Sequence, residues 1–357
     1  MPFWHSKGCF SLSCIGKEYP VKNDLPDVTV ESDIFDVIVE SDIVDLTVKN
    51  DLLDLTFEKL RQYTGQFSPD NLVAISQYGK LYRGKMPVGL NQEDETTKDV
   101  AIKILFDPRL LRDNKDLVRF EDELKFLQDP RIRGNPNLVK LIGYCREDKI
   151  LGVVYDLKPR DTLYNLIIQD EFKWLDRVRA ALALARLLNF LHCQKSQYLI
   201  RNINPAHIVL DKDFNPILFE FGMLLGSALD KTVSQREAGT FGYIDPIVAQ
   251  CGAWTVKSDV YSFGVLLLDL MSKRVIDLKN TLATAVDLWA LKEYKPGCSL
   301  VHQSLEDDPY FDRRDGPKMT DLAMQCMDEE EEKRPLMKEV VSRLEALHVV
   351  QQHAQRK

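Results

Sequence analysis

WLDRVRAALALARLLNFLH, residues 174–192, carries apolar side chains almost all the way round a helix, so protein must cover every face of it. VKSDVYSFGVLLLDLM (256–271) reads as a second buried helix, and EKRPLMKEVVSRLEAL (332–347) as a terminal amphipathic one. A large helical body is therefore expected after residue 158. Upstream, SQYGKLYRGKM (76–86), DVAIKIL (99–105), NLVKLIGYC (137–145) and ILGVVYDL (150–157) supply β-rich segments, the first two separated by a polar loop. One helix interrupts them: KDLVRFEDELKFL (115–127) places Leu117, Phe120, Leu124 and Leu127 at helical spacing. LTFEKLRQYTGQFSPDN (55–71) reads as an amphipathic helix and cap leading into a strand. A small β-rich lobe followed by a larger helical lobe gives an α+β fold class.

At 357 residues the chain suits one large two-lobed domain with an extension. A formal charge of −8 argues against a general nucleic-acid binder, which must neutralise phosphates. The seven cysteines are odd in number and scattered without a CxxC pair, which fits reduced thiols better than a disulfide framework or a zinc site. No apolar run approaches the roughly 18–20 residues that span a bilayer, and Lys7, Gly8 and Lys17 break up any signal-peptide core. A cytoplasmic protein is expected. Cys9 and Cys14 in GCFSLSC are candidate S-acylation sites for weak peripheral contact with the plasma membrane. Pro2 excludes N-myristoylation, which needs glycine there.

Residues 24–59 hold four nine-residue copies: DLPDVTVES, DIFDVIVES, DIVDLTVKN and DLLDLTFEK. Aspartate recurs at the first and fourth places, and alternating β-branched residues suggest strand-like segments between polar turns. Two readings stay open, a flexible acidic linker and a strand ladder for docking a partner. The expected division is an extension over 1–54, a small lobe over 55–157, a helical lobe over 158–349 and a tail over 350–357.

VAIK (100–103), Glu123 on its helix, NPNLVKLIGYC (135–145), IRNINPAH (200–207), EFG (220–222), GTFGYIDP (239–246), SDVYSFGVLL (258–267) and KRP (333–335) stand in protein-kinase order and spacing. Over residues 55–348 the chain resembles that family, with its two-lobed fold. The DVYSFG and GTFGY wording resembles the plant receptor-like (cytoplasmic) kinase family, near its wall-associated group. The catalytic loop is similar to that of ZRK-type resistance pseudokinases of plants.

Kinase chemistry is mostly positioning and charge neutralisation, and the resemblance implies a role for each part. Lys103 and Glu123 form the pair that grips nucleotide phosphates. Ala74, Ser76 and Gly79 occupy the glycine-rich cover, where only the third glycine remains. Tyr155 and Asp156 complete the nucleotide-binding set. The base position is Asn202, whose amide cannot take the substrate proton, and Asn204 stands where a lysine is usual. His207 replaces the second metal ligand with a nitrogen donor, although Mg²⁺ prefers oxygen, and Glu220 moves the remaining carboxylate outward by a methylene. Arg201 remains to grip a phosphate on the activation segment, where Thr232, Ser234 and, within the structural GTFGY run, Thr240 are the candidate acceptors. Asp259 anchors the catalytic loop. Arg334 is expected to have lost its partner, because Ile247 replaces the usual glutamate.

The resemblance implies a weak ATP site, poor support for Mg²⁺, and a pseudokinase that works as adaptor or decoy. Its implied partners are proteins of plant immunity: an immune receptor, active kinases or pathogen effectors. A weakly active serine/threonine kinase, or an ATP-binding switch without phosphoryl transfer, is the alternative.

Overall fold

A computed structural model describes residues 52–88, 96–105, 115–147, 150–221, 223, 239–277 and 279–354. Repeat copies 24–50, Cys9, Cys14, Thr232 and Ser234 lie outside the described residues.

The first lobe is a six-stranded sheet in the order β1-β5-β6-β4-β3-β2. Its strands are β1 (Leu53–Asp54), β2 (Leu72–Ser76), β3 (Gly79–Pro87), β4 (Thr97–Leu105), β5 (Leu141–Glu147) and β6 (Ile150–Tyr155). β4 lies in the interior, hydrogen-bonded to β3 and β6, and is buried on both faces. Strand alternation splits its side chains. Val100 and Ile102 join a small core with Leu55, Leu60, Cys145 and Val154, whereas Ala101 and Leu105 join the main core. Lys103 shares the parity of Ala101 and Leu105, so it points toward the main core.

Among the described residues of the fourth repeat copy, Leu53 and Asp54 form a strand. β1 pairs in parallel with β5, and α1 (Phe57–Tyr63) then begins because the Thr56 hydroxyl accepts the Lys59 N–H as an N-cap. α2 (Lys115–Gln128) packs beside the sheet and presents Glu123 to it.

The second lobe opens with β7 (Asp161–Thr162), which forms a small sheet with β8 (Ile208–Leu210) and β9 (Pro216–Leu218). Its helices are α3 (Leu163–Ile167), α4 (Trp174–His192), α5 (Pro246–Cys251), α6 (Val256–Ser272), α7 (Thr281–Thr284), α8 (Val286–Glu293), α9 (Gln303–Glu306), α10 (Asp315–Cys326), α11 (Met337–Glu345) and α12 (His348–Ala354). Every residue of α6 from Ser258 to Ser272 is buried, as its continuous apolar run requires. Gly264 allows the close approach of α10: a Cβ there would stand 2.7 Å from the Cys326 Cβ and 2.9 Å from the Ala323 carbonyl. The expected tail is helical through Ala354. It is tied down because the Asp315 carboxylate accepts the backbone N–H groups of His348 and Val349 at 2.8 and 2.9 Å. No helix among the described residues is long and apolar enough to cross a membrane.

Candidate functional site

Lys103 is the hub of the site. Its Nζ lies 2.6 Å from Glu123 Oε2 and 3.1 Å from Glu220 Oε1, and all three side chains are buried. Glu123 also accepts a hydrogen bond from the Tyr155 hydroxyl. Burial alone would pull the lysine pKa down, but the charges of Glu123 and Glu220 outweigh it and hold the pKa above its ordinary value. Glu123 is held above the usual carboxylate range, chiefly by burial; Lys103 opposes this shift and Glu220 adds to it. Lys103 therefore pairs with two carboxylates at once. Tyr155 sits fully buried, with its hydroxyl committed to Glu123. Asp156 lies further out, its backbone N–H donating to the Lys140 carbonyl and its side chain paired with Lys98 at 2.7 Å.

The β2–β3 turn closes over this trio. Ser76 Oγ donates to Glu220 Oε2 at 2.5 Å, Gln77 Oε1 accepts from Asn202 Nδ2 at 3.2 Å, and the Tyr78 hydroxyl meets the Met223 sulfur. Ala74 is buried in β2 within the main core. Gly79 has a packing reason to be glycine, since a Cβ there would come within 2.5 Å of the Ile104 carbonyl. Sequence reading missed Gln77 and Tyr78. Their one signal was long side chains at the tip of a hairpin where small residues are expected.

The catalytic loop hangs from α6. Asp259 accepts the backbone N–H groups of Ile200 and Arg201 at 2.9 and 2.8 Å, and its Oδ2 lies 3.0 Å from His192 Nε2. Arg201 adopts φ +66°, a left-handed conformation unfavourable for a side-chain-bearing residue, and the two bonds to Asp259 help to hold it. His192, the last residue of α4, is a second brace that sequence reading did not single out.

Every polar atom of the Asn202 side chain is engaged. Its Oδ1 accepts the Thr240 N–H at 3.1 Å and lies 3.2 Å from Asn204 Nδ2, while its own Nδ2 meets Gln77. Asn204 caps the turn 205–207 by accepting the Ala206 N–H, and its Nδ2 reaches Thr240 Oγ1 at 3.1 Å. His207 Nδ1 stands 2.9 Å from the Asn202 carbonyl and 3.0 Å from Asn204 Nδ2, so this nitrogen has a partner in either tautomer. Burial lowers the His207 pKa, so the imidazole is neutral, although Glu220 pushes the other way. The structure thus gathers Ser76, Lys103, Glu123, Tyr155, Asn202, His207 and Glu220 into one connected site. Asp156 is left at its margin.

One expectation needs correction. Arg334 keeps an acidic partner: its Nη1 and Nη2 reach the Asp245 carboxylate at 2.6 and 3.0 Å, with both side chains buried. Asp245 precedes α5 and also accepts the Ile247 N–H at 3.0 Å as its N-cap. The carboxylate two places upstream of Ile247 takes over the pairing. Arg201 lies beside Trp254, its guanidinium carbon 5.9 Å from the indole centroid, and Thr240 is half-buried against Asn202 and Asn204.

Comparison with known proteins agrees with this architecture. The family model "Protein tyrosine and serine/threonine kinase" matches residues 70–344. Among curated proteins of Arabidopsis thaliana, "Probable serine/threonine-protein kinase PBL21" is 34% identical over 308 residues, covering 82% of this chain and 75% of the relative. "Probable serine/threonine-protein kinase PBL16" is 32% identical over 309 residues, covering 84% and 74% respectively. "Probable serine/threonine-protein kinase CST" is 30% identical over 299 residues, covering 81% and 70%. Kinase domains in general work with ATP and Mg²⁺. The chain belongs to the protein tyrosine and serine/threonine kinase family, and its kinase domain is homologous to the PBL kinases of Arabidopsis thaliana.

Proposed function

We propose that this chain is a pseudokinase: a kinase fold that binds protein partners and has given up phosphoryl transfer. One observation carries the reading. The base position is an amide, Asn202, with both side-chain heteroatoms spent on Thr240, Asn204 and Gln77. An amide cannot accept the substrate proton, and a positioned base is worth roughly 10²–10⁴-fold, or about 3–5 kcal/mol of barrier. The metal donors point the same way. Glu220 is engaged by Lys103 and Ser76, and His207 offers a nitrogen already in contact with Asn202 and Asn204, so the set does not fit an ion that demands octahedral oxygen ligands. Lys103 and Glu123, with Ala74, Ser76, Gly79, Tyr155 and Asp156 around them, form the nucleotide side of the same reading.

A second reading is a weakly active serine/threonine kinase, or an ATP-binding switch without transfer. The relatives' names favour it over the first, since each is called a probable serine/threonine-protein kinase. The chemistry of Asn202 and His207 is why we place it second. Resemblance to ZRK-type pseudokinases extends the first reading to plant immunity, with an immune receptor, active kinases or pathogen effectors as partners in the cytoplasm.

The test is incubation of the purified chain with radiolabelled Mg-ATP, alone and with generic protein substrates. We expect no incorporation above background. Incorporation that disappears in Lys103→Ala would overturn the proposal in favour of the enzyme.

A further inference from the structure

We propose that the β2–β3 turn is a built-in occupant of the phosphate site, which keeps ATP out until the turn lifts. The inference deepens the nucleotide side of the reading above and rests on Lys103 as the phosphate-gripping residue. It does not depend on whether phosphate is transferred.

Ser76 at the end of β2 and the turn residues Gln77 and Tyr78 each cross to a different part of the site floor. Ser76 reaches Glu220 after β9, Gln77 reaches Asn202 in the catalytic loop, and Tyr78 reaches Met223. These partners lie 144, 125 and 145 residues away along the chain, so the contacts are tertiary and specific. The guanidinium of Arg119 on α2 stacks over the Tyr78 ring, its carbon 4.5 Å from the centroid, and Tyr78 is buried. The turn is therefore held from below and from the side.

The chemistry of the occupant suits the place. Phosphate oxygens would have to compete for an ammonium already contacted by two carboxylates, and would bring negative charge beside Glu123 and Glu220. The Ser76 hydroxyl brings no charge. It donates its proton to Glu220, a charge-assisted bond stronger than a neutral one. A glycine at 76 would have no hydroxyl to give, and a small residue at 77 could not span to Asn202. The close approach of Gly79 to Ile104 sets where β3 begins and so where the turn projects. Apparent affinity is the intrinsic affinity multiplied by the fraction of molecules with the turn lifted. Weakening the turn's contacts therefore raises ATP affinity, the opposite of what removing ligand-binding residues would do.

Titration calorimetry of the full chain with ATP, once in EDTA and once in Mg²⁺, tests this. We expect Ser76→Ala/Gln77→Ala to bind ATP about tenfold tighter than the unmodified chain, equivalent to about 1.4 kcal/mol. Asn202→Ala cuts the Gln77 contact from the other side. It should give the same gain as Gln77→Ala, and the pair together no further gain. Equal or weaker ATP binding by the folded double variant would overturn the proposal. Should that variant not fold, amide exchange in the unmodified chain decides. Protection at residues 76–79 that ATP reduces supports the plug, and free exchange without ATP overturns it. Phosphate transfer by the opened variant would refute the non-catalytic reading and leave the plug standing, whereas unchanged ATP affinity would do the reverse.

Discussion

His207 is a buried imidazole whose environment favours its neutral form. Burial is the largest influence and lowers its pKa below 6.5, against the opposing pull of Glu220. The unfolded chain gains a proton at about pH 6.5 that the folded chain refuses. The His207 contribution to stability is therefore fully present above that pH and is lost as pH falls toward the depressed folded value. We expect His207→Asn to flatten the acid limb, read as urea midpoints between about pH 7 and about pH 5. Parallel slopes for the two proteins would show that His207 is not the group responsible. The substitution at 207 was legible in sequence because motif order fixes that position. Its contacts with the Asn202 carbonyl and the Asn204 amide were not, because they depend on the fold of the loop.

Arg334 shows the same boundary from the other side. The motif placed its partner at 247, where isoleucine stands, and so predicted an Arg334 without its acidic partner. The fold supplies Asp245 instead, because capping α5 already brings that carboxylate to the buried face. Removing one member of a buried pair leaves the other charge uncompensated, which costs about 3–5 kcal/mol. We expect Asp245→Ala to lose about that much in urea unfolding. A loss within 0.5 kcal/mol, the usual size of a surface change, would mean the pair does not hold the segment.

Among the elements, α4 and α6 were readable because apolar residues on every face admit only a buried helix. β1 was not, since two residues give too short a pattern to separate a strand from a linker. α12 was missed because Asp315, far upstream, holds its start. Arg177 on α4 carries a wider junction. Its guanidinium donates to the carbonyls of Phe172, Leu270, Ile167 and Gln169, joining the residues before α4 to the end of α6. Burial lowers its pKa to about 9. Arg177→Met keeps the aliphatic bulk but strands these carbonyls, so we expect a loss of about 3 kcal/mol or more, measured by thermal unfolding. A loss below 1 kcal/mol would show that the carbonyls find other partners.

At the scale of the molecule, the two lobes meet through polar contacts at the site. Glu220 after β9 binds both Lys103 on β4 and Ser76 on β2, and Asn202 on the catalytic loop binds Gln77. Lys103, Glu123, Asn202, His207 and Glu220 follow from motif spacing, whereas Gln77 and Tyr78 do not. The closure of the site was not legible either, because no local pattern signals a contact spanning more than a hundred residues. What the whole retains is a kinase scaffold with its loop anchor Asp259, its Lys103–Glu123 pair and its Arg334 clamp. On the pseudokinase reading proposed above, the changes that matter most stand where a proton and a metal would be handled.

Those changes can be tested by reversing them. Phosphate incorporation from radiolabelled Mg-ATP would be compared between the unmodified chain and a variant carrying Asn202→Asp, Asn204→Lys, His207→Asn and Glu220→Asp together. The account expects background incorporation for the first and Lys103-dependent incorporation for the second. Lys103-dependent incorporation by the unmodified chain would contradict it.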